Sequence, residues 1–147
     1  MGNCHYTYLT SEAVTEGHPD KICDQISDAI VDAYLTQDTA SHVAVEAFVS
    51  GNVLTLAGEV SSSATVDVTA LARKVIADIG YTDPALGFTA DACLVFTNIH
   101  QQSNDIKQGV TQAEGDRIVG SGDQGIMYGY ATNETVNYMP LTVNLAQ

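Results

Sequence analysis

The residues with the clearest chemical potential are Gly17-His18-Pro19-Asp20-Lys21, at the start of an amphipathic segment. Pro19 suits the first position of a helix, where its missing N–H costs no hydrogen bond, and Gly17 lets the backbone turn sharply before it. The free N–H groups and the positive end of the helix dipole then favour an anion. His18 and Lys21 add donors that suit phosphate, and Asp20 adds an oxygen that suits Mg²⁺. The pentapeptide alone is equally compatible with an ordinary helix cap that carries an exposed histidine.

The composition excludes several classes of function. The 147 residues include 18 acidic and five basic side chains, for a formal net charge of −13. This balance argues against nucleic acid as a partner, and it requires that cations for any polyphosphate ligand come from metal ions or another polypeptide segment. The apolar runs are too short to cross a bilayer, no signal peptide is visible, and three widely spaced cysteines fit neither disulfides nor zinc. We therefore expect a cytoplasmic protein without a membrane partner.

Hydrophobic periodicity predicts the elements that must position these residues. In chain order they are a helix over 19–36, strands over 42–49 and 53–60, a helix over 66–79, and strands over 92–99, 126–132 and 141–145. This order of helix, hairpin, helix and strand predicts an α+β fold with helices on one face of a mixed or antiparallel sheet.

Several carboxylates lie on these elements, and each has an ordinary structural explanation. The first helix carries Asp24, Asp28 and Asp32 at four-residue spacing, which is typical of a solvated face, so we assign only Asp20 to chemistry,. The hairpin carries Glu46 and Glu59 among apolar residues. An unpaired buried carboxylate is costly, so each of these two is exposed, paired or a ligand, and an exposed strand face is the commonest explanation.

A polar, glycine-rich stretch over 100–125 separates the predicted elements. A loop of this length in a compact domain is usually a functional lid or a disordered segment. Its glycines at 120–125 are not a phosphate-binding loop of the nucleotide-triphosphatase kind, because no Lys-Ser/Thr pair follows them and no strand directly precedes them.

Taken together, several long motifs in a fixed order carry a family resemblance. The most specific are Glu16-Gly17-His18-Pro19-Asp20-Lys21-Ile22-Cys23-Asp24, Ala57-Gly58-Glu59-Val60, Ile79-Gly80-Tyr81, Gly122-Asp123-Gln124-Gly125 and Gly129-Tyr130-Ala131-Thr132-Asn133-Glu134-Thr135. Over residues 8–146 the sequence resembles the opening of the S-adenosylmethionine synthetases (methionine adenosyltransferases).

The resemblance implies a reaction and a set of site residues. In that family the sulfur of L-methionine attacks C5′ of ATP, and the displaced triphosphate is hydrolysed to phosphate and pyrophosphate. By resemblance, the catalytic histidine is His18, acting as an imidazolium. The other implied residues are Asp20 for Mg²⁺, Glu46 for K⁺, Glu59 and Gln102 for methionine, Asp123 as an active-site acid that binds substrate, and Glu12 as a further acid on the metal side. Lys21 remains a candidate for binding the substrate phosphates.

The resemblance also implies an assembly. Family members have three similar α+β domains with pseudo-symmetry, and their active site lies between two subunits of a homodimer that often pairs into a homotetramer. We therefore expect residues 1–147 to be the N-terminal portion of a synthetase, separated by proteolysis or represented as its own chain, and inactive without the remainder. The hairpin face of Glu46 and Glu59 is expected in the subunit contact, and residues 102–113 match a mobile gate in which Asn104 replaces the usual proline.

Two other functions are compatible with parts of this pattern. One is a non-catalytic regulatory or assembly subunit that packs against a full-length synthetase. The other is an unrelated Mg²⁺-dependent phosphate-transfer enzyme that uses the cradle at 17–21, which the ordered set of motifs disfavours.

Overall fold

The computed structural model describes residues 7–101 and 125–147, and the chain divides into two compact units. The larger described unit comprises residues 15–101, and the smaller combines residues 7–14 with 125–147. The elements in chain order are α1 (Pro19–Gln37), β1 (His42–Ser50), β2 (Val53–Ser61), α2 (Val68–Ile79), a 3₁₀ helix (Pro84–Leu86), β3 (Leu94–Gln101) and α3 (Leu141–Ala146). Among these, no helix has the length and apolar character needed to cross a membrane.

The larger unit is an α+β layer, as predicted. Its three strands lie in the order β1-β2-β3, with β1 antiparallel and β3 parallel to β2, so the sheet is mixed. Helices α1 and α2 pack on one face of this sheet. Every second side chain of the hairpin points to that face and forms a single core with the helices,. The largest fully buried side chains of this core are Ile22, Ile26, Ile30, Leu54, Leu56, Ile76 and Cys93.

Helix α1 forms where its apolar spacing and its capping residues agree. Its buried stripe is Ile22, Ile26, Ile30 and Tyr34, whereas the aspartates at four-residue spacing after Asp20 are exposed. Both findings confirm the predictions from helical periodicity. The N-terminus of α1 lies beside the turn between β1 and β2, where Pro19 and Ile22 share a pocket with Val49 and Gly51.

The hairpin depends on two glycines with different roles. Gly51 turns the chain between β1 and β2 with φ +56°, a conformation that favours glycine,. Gly58 lies within β2 with φ +144°, and a Cβ built there would lie 2.0 Å from the carbonyl oxygen of Ala44 on β1. Only a residue without a side chain therefore allows the two strands to pair at this point.

The predicted strands near the C-terminus are wrong. Residues 126–132 have no regular structure, and residues 141–146 form α3 rather than a strand. A short apolar run with β-branched residues does not separate strand from helix by pattern alone. Local capping favours the helix, because Pro140 precedes it and the Glu134 carboxylate accepts a hydrogen bond from the Leu141 N–H at 2.9 Å,.

Two predicted boundaries also shift by two residues. Helix α2 begins at Val68 because Asp67 caps it, with its Oδ1 accepting from the Ala70 N–H at 2.9 Å. Strand β3 begins at Leu94, because Thr89 accepts the preceding N–H groups in a turn. Helix α2 ends at Ile79, where the predicted helix also ends, and Gly80 caps it with φ +116°,.

Candidate functional site

The candidate catalytic histidine is the N-cap of α1. The Nδ1 atom of His18 accepts a hydrogen bond from the Asp20 N–H at 3.1 Å. While this bond is made, Nδ1 carries no proton, so a neutral ring has its N–H at Nε2. The side chain is 42% exposed. The imidazolium implied by the family resemblance carries a proton on both nitrogens, so it could not keep the hydrogen bond from the Asp20 N–H. With that bond in place, the ring has a single donor nitrogen, Nε2.

Three hydrogen bonds fix the backbone before His18. The His18 N–H donates to the Thr15 carbonyl at 3.0 Å, Gln25 Nε2 donates to the Glu16 carbonyl at 3.2 Å, and the Tyr81 hydroxyl donates to the Gly17 carbonyl at 2.6 Å. Gly17 is not among the glycines with positive φ. A Cβ on it would lie 3.3 Å from the Tyr81 hydroxyl. Gly17 therefore lies in a turn, as predicted, and its lack of a side chain also leaves room for the tyrosine.

The basic side chains of the described residues are already engaged within the chain. Lys21 pairs with Asp24 at 3.1 Å, and Lys74 pairs with Asp78 at 2.6 Å. Arg73 donates to backbone carbonyls in the turn that precedes β3. Each of these described cations already has a partner within the chain, which it would have to leave in order to bind a phosphate.

The two hairpin carboxylates lie on the sheet face opposite the helices. Glu46 pairs in register with Ala57 and is exposed. Glu59 pairs with Ala44 on one side and with His100 on the other, and it is half-buried. Both carboxylates therefore lie on the more exposed face of the hairpin, which is the explanation that the sequence favours.

The same sheet face is rich in exposed aromatic and aliphatic side chains. The exposed fractions are 66% for Phe48, 58% for Phe96 and 55% for Leu94. Phe48 and Phe96 both lie in register with Thr55 of the central strand, so they form one row across the sheet. We call this face, with Glu46, Phe48, Glu59, Leu94 and Phe96, the open sheet face. Contiguous apolar surface of this kind marks interaction sites.

One copy of the chain does not bring His18 and Glu59 together. The N-terminus of α1 lies beside Gly51 at the start of the hairpin turn. Glu59 lies eight residues further along the register of β2, which corresponds to about 26 Å of extended strand,. Glu59 also faces away from the helices. A site that uses both residues must take one of them from a second copy.

The remaining predicted residues have separate positions. Glu12 is exposed in the smaller unit, and Asp20 has a side chain that is 87% exposed. Gln102, Asp123 and the predicted gate over 102–113 lie outside the described residues. Within the part of the chain that is described, no group of three or more His, Cys, Asp or Glu side chains could hold a metal ion. A cation bound by Asp20 or by Glu46 would therefore find fewer than three such side chains around it among the described residues.

Two concave surfaces flank α1. Beside its N-terminus is a pocket of about 380 Å³ lined by apolar and aromatic side chains, including Ile22, Tyr81 and Phe88. Between α1 and α2 lies a groove of about 360 Å³ that is lined by four carboxylates, of Glu16, Asp28, Asp32 and Asp78. The carboxylates of the groove repel phosphate, so the exposed N-terminus of α1, at the positive end of the helix dipole, suits an anion better than the groove does,.

Cys23, one turn into α1, is a half-buried free cysteine. Burial raises the pKa of its thiol above the ordinary value, and the nearby carboxylates of Asp20 and Asp24 raise it further, against a backbone hydrogen bond from Val49. Because the thiolate is the reactive form, this raised pKa lowers the reactivity of the thiol. Cys93 is buried in the core.

Comparison with known proteins gives the family. The sequence profile described as "S-adenosylmethionine synthetase, N-terminal domain" matches residues 6–104. This chain belongs to the S-adenosylmethionine synthetase family. A second profile, "S-adenosylmethionine synthetase, central domain", matches residues 118–147, so the family resemblance drawn from the motifs is confirmed along nearly the whole chain.

Curated relatives agree with the family assignment. The chain is 56% identical over 138 residues to S-adenosylmethionine synthase 1 of Rhodopseudomonas palustris and 54% identical over 138 residues to that of Rhodospirillum rubrum. It is also 56% identical over 141 residues to S-adenosylmethionine synthase of Porphyromonas gingivalis. These matches cover 94–95% of this chain but 33–35% of each relative. The chain therefore spans about a third of the length of the synthetases it matches.

Sequence reasoning found the residues that carry charge or titrate, but it missed the residues that hold them. Gln25 binds the carbonyls of both Glu16 and Lys21, and Tyr81 binds Gly17 from 64 positions away. The spacing of Gln25 to Lys21 is visible in the sequence, whereas no local pattern links Tyr81 to α1. The motif Ile79-Gly80-Tyr81 was the available signal, without a role attached to it.

Proposed function

We propose that this chain serves in the synthesis of S-adenosylmethionine from ATP and L-methionine, with release of phosphate and pyrophosphate. The observation that carries the proposal is the exposed N-terminus of α1, where His18 and Asp20 lie at the positive end of the helix dipole,. In this reaction, a methionine sulfur lone pair forms the bond to C5′ of ATP, and the C5′–O bond breaks with its electrons going to the triphosphate. The group that leaves is highly charged, so stabilising it is the main task of the site.

The role proposed for His18 follows from its hydrogen bonds. Because Nδ1 accepts the Asp20 N–H, the ring is oriented with Nε2–H as its free donor,. A donor fixed in this way can stabilise the oxygen that gains charge as the C5′–O bond breaks. The helix N-terminus adds favourable potential for the phosphates at the same place. Lys21 would have to leave Asp24 before it could add a further charge.

The proposed cations fit single carboxylates of this chain. Mg²⁺ commonly keeps several waters and binds one or two carboxylates together with substrate phosphates, so the exposed Asp20 suits it as one ligand,. When bound, Mg²⁺ would neutralise charge on the triphosphate. We assign Glu46 to K⁺ on the basis of the family resemblance and of its exposed carboxylate. Glu12 remains a further candidate on the metal side.

We infer that the complete site forms between two copies, in a homodimer or a homotetramer in the cytoplasm. This inference is supported by the separation of His18 from Glu59 and by the exposed aromatic side chains of the open sheet face. In this arrangement, Glu59 and Gln102 hold methionine, Asp123 binds substrate, and residues 102–113 act as the gate. The cations for the triphosphate then come from segments beyond those described, which agrees with the engaged state of Lys21, Arg73 and Lys74.

The test uses a chimera, here called the completed enzyme, in which this chain replaces the matching third of the Rhodospirillum rubrum synthase. We expect the completed enzyme to form S-adenosylmethionine. His18→Asn should lower kcat by roughly a hundredfold, because its donor acts on charge that develops in the transition state. Asp20→Asn should raise the Mg²⁺ concentration needed for half-maximal rate.

Asp32→Asn is the matched control, since Asp32 is exposed on the same helix but more than three turns away. It should keep the parent rate and the parent Mg²⁺ requirement. Normal rates for His18→Asn and Asp20→Asn at limiting Mg²⁺ would mean that the pentapeptide is only a helix cap.

A further inference from the structure

We propose that Tyr81 is a positioning residue for His18, acting through its hydrogen bond to the Gly17 carbonyl. The inference rests on the proposed function, because it concerns the geometry of the catalytic histidine. Tyr81 belongs to the loop between α2 and β3, and Gly17 immediately precedes His18. The 2.6 Å hydrogen bond between them therefore joins a remote part of the fold to the peptide that carries the histidine.

Tyr81 is itself held firmly in place. Its N–H donates to the Ile76 carbonyl at 3.1 Å, and its carbonyl accepts from the Ala90 N–H at 2.9 Å. Its ring packs edge-to-face on Phe88, with ring centroids 5.3 Å apart and an interplanar angle of 78°. Phe88 is buried in the core. The hydroxyl is thus a fixed point against which the loop before α1 can be set.

The receiving side of the contact is shaped for this hydroxyl. The Gly17 backbone approaches so closely that a Cβ would lie 3.3 Å from the hydroxyl oxygen and 3.6 Å from the nearest ring carbon. The neighbouring Glu16 carbonyl is bound by Gln25 from within α1. The peptide is therefore attached both to its own helix through Gln25 and to the α2–β3 loop through Tyr81.

The catalytic consequence follows from the sensitivity of a positioned donor to small displacements. Loss of the hydroxyl leaves the Gly17 carbonyl without this partner and frees the peptide to shift, which displaces the His18 ring. A displaced donor weakens stabilisation of the transition state more than binding of the substrates. We expect Tyr81→Phe in the completed enzyme to lower kcat by roughly three- to tenfold, the range that one hydrogen bond supports, while KM for methionine changes by less than about twofold.

Two variants separate positioning from a general loss of stability. Tyr34→Phe removes the same hydroxyl from the far end of α1, about 24 Å from His18 along the helix,, and should leave kcat unchanged. Gly17→Ala should lower kcat with Tyr81 present, because the added methyl group presses on the hydroxyl. In the Tyr81→Phe background it should cost much less, since the nearest atoms are then ring carbons at 3.6 and 3.8 Å,.

A second measurement uses the 147-residue chain and does not depend on activity. The ¹⁵N chemical shifts of the His18 ring report its tautomer, and Nδ1 should be the unprotonated nitrogen in the parent chain. In Tyr81→Phe the two ring nitrogens should move toward averaged values, because the cap is held less firmly, whereas Tyr34→Phe should leave them unchanged.

The outcomes distinguish this inference from the proposed function. An inactive parent enzyme would contradict the proposed function. The ¹⁵N chemical shifts of the His18 ring would then still test whether Tyr81 positions the histidine. An active parent with unchanged kcat in Tyr81→Phe, or with additive losses in the double variant, would overturn the positioning role. A lower melting temperature without a change in kcat would assign Tyr81 to stability alone.

Discussion

Gly58→Ala should destabilise the fold more than the same substitution at a glycine where an added methyl group meets no neighbour, such as Gly80 or Gly129. Gly58 lies in β2 with φ +144°, and its Cα faces the backbone of β1. The added Cβ would lie 2.0 Å from the Ala44 carbonyl oxygen, and both that carbonyl carbon and the Val45 Cα would be 3.0 Å away. All three atoms belong to the backbone of the partner strand, so no side chain can rotate to make room.

The magnitude has two parts. A non-glycine residue held at this φ carries strain of about 1–3 kcal/mol. Relieving the overlap requires β1 and β2 to separate by about 1 Å, and overpacking of this kind costs about 1–3 kcal/mol more. The expected total of about 2–6 kcal/mol is a large fraction of the stability of a small domain, which is about 5–15 kcal/mol.

The assay is urea unfolding of the 147-residue chain. Two further alanine variants separate the backbone strain from the steric overlap. Gly80 has φ +116°, and no heavy atom lies within 4 Å of the position that an added methyl group would take. Gly80→Ala should therefore show the conformational part alone, about 1–3 kcal/mol. Gly129 has neither a left-handed φ nor a close neighbour, and Gly129→Ala should stay within about 0.5 kcal/mol of the parent.

The difference between Gly58→Ala and Gly80→Ala measures the steric clash. A Gly58→Ala variant no less stable than Gly80→Ala would refute the reasoning, because the close approach of the two strands would then carry no energy. Since Glu59 is the next residue, the same separation of strands should also weaken use of methionine by the completed enzyme.

Two further predictions concern pH and self-sufficiency. Hydrogen bonds from the Ser63 and Ala40 N–H groups hold the pKa of the Asp38 carboxyl at about 2, below its ordinary 3.8. Because this pKa is lower in the folded state, the carboxylate adds to the free energy of unfolding above pH 4. That contribution is lost as the pH falls from about 4 to 2. The difference in unfolding free energy between the parent chain and Asp38→Asn should therefore be constant above pH 5 and shrink toward pH 2, and a pH-independent difference would contradict the assignment. The 147-residue chain alone should form no S-adenosylmethionine, because its described cations are engaged within the chain, and measurable turnover by the pure chain would contradict this.

The sequence predicts most of the larger unit because its patterns are local. Helix α1 has four buried residues at helical spacing and a proline at its start, and the hairpin has a glycine turn between two β-rich runs. The strand predicted at 141–145 failed because five residues carry too little periodicity to separate strand from helix. There, the Glu134 carboxylate and Pro140 decide the outcome from outside the run.

The candidate site divides in the same way. The position of His18 and Asp20 at the start of α1 was predictable because residue type and spacing act within one turn of the chain. The support from Tyr81 was not predictable, since it depends on how the α2–β3 loop packs against the start of α1. The close packing that explains Gly17 and Gly58 was equally hidden, because the atoms that they approach belong to other elements. Tertiary contacts, rather than sequence patterns, set these positions.

The most direct test of the central claim is complementation between two inactive copies of the completed enzyme. One copy carries His18→Asn and the other carries Glu59→Gln, and they are co-expressed in equal amounts. If each site takes His18 from one copy and Glu59 from its partner, half of randomly formed dimers are mixed, and each mixed dimer keeps one unmodified site.

We expect the mixture to recover about a quarter of the parent rate of S-adenosylmethionine formation, although each variant alone stays nearly inactive. A mixture no more active than the single variants would contradict a site shared between two copies, and parent-like activity of Glu59→Gln alone would remove Glu59 from the site.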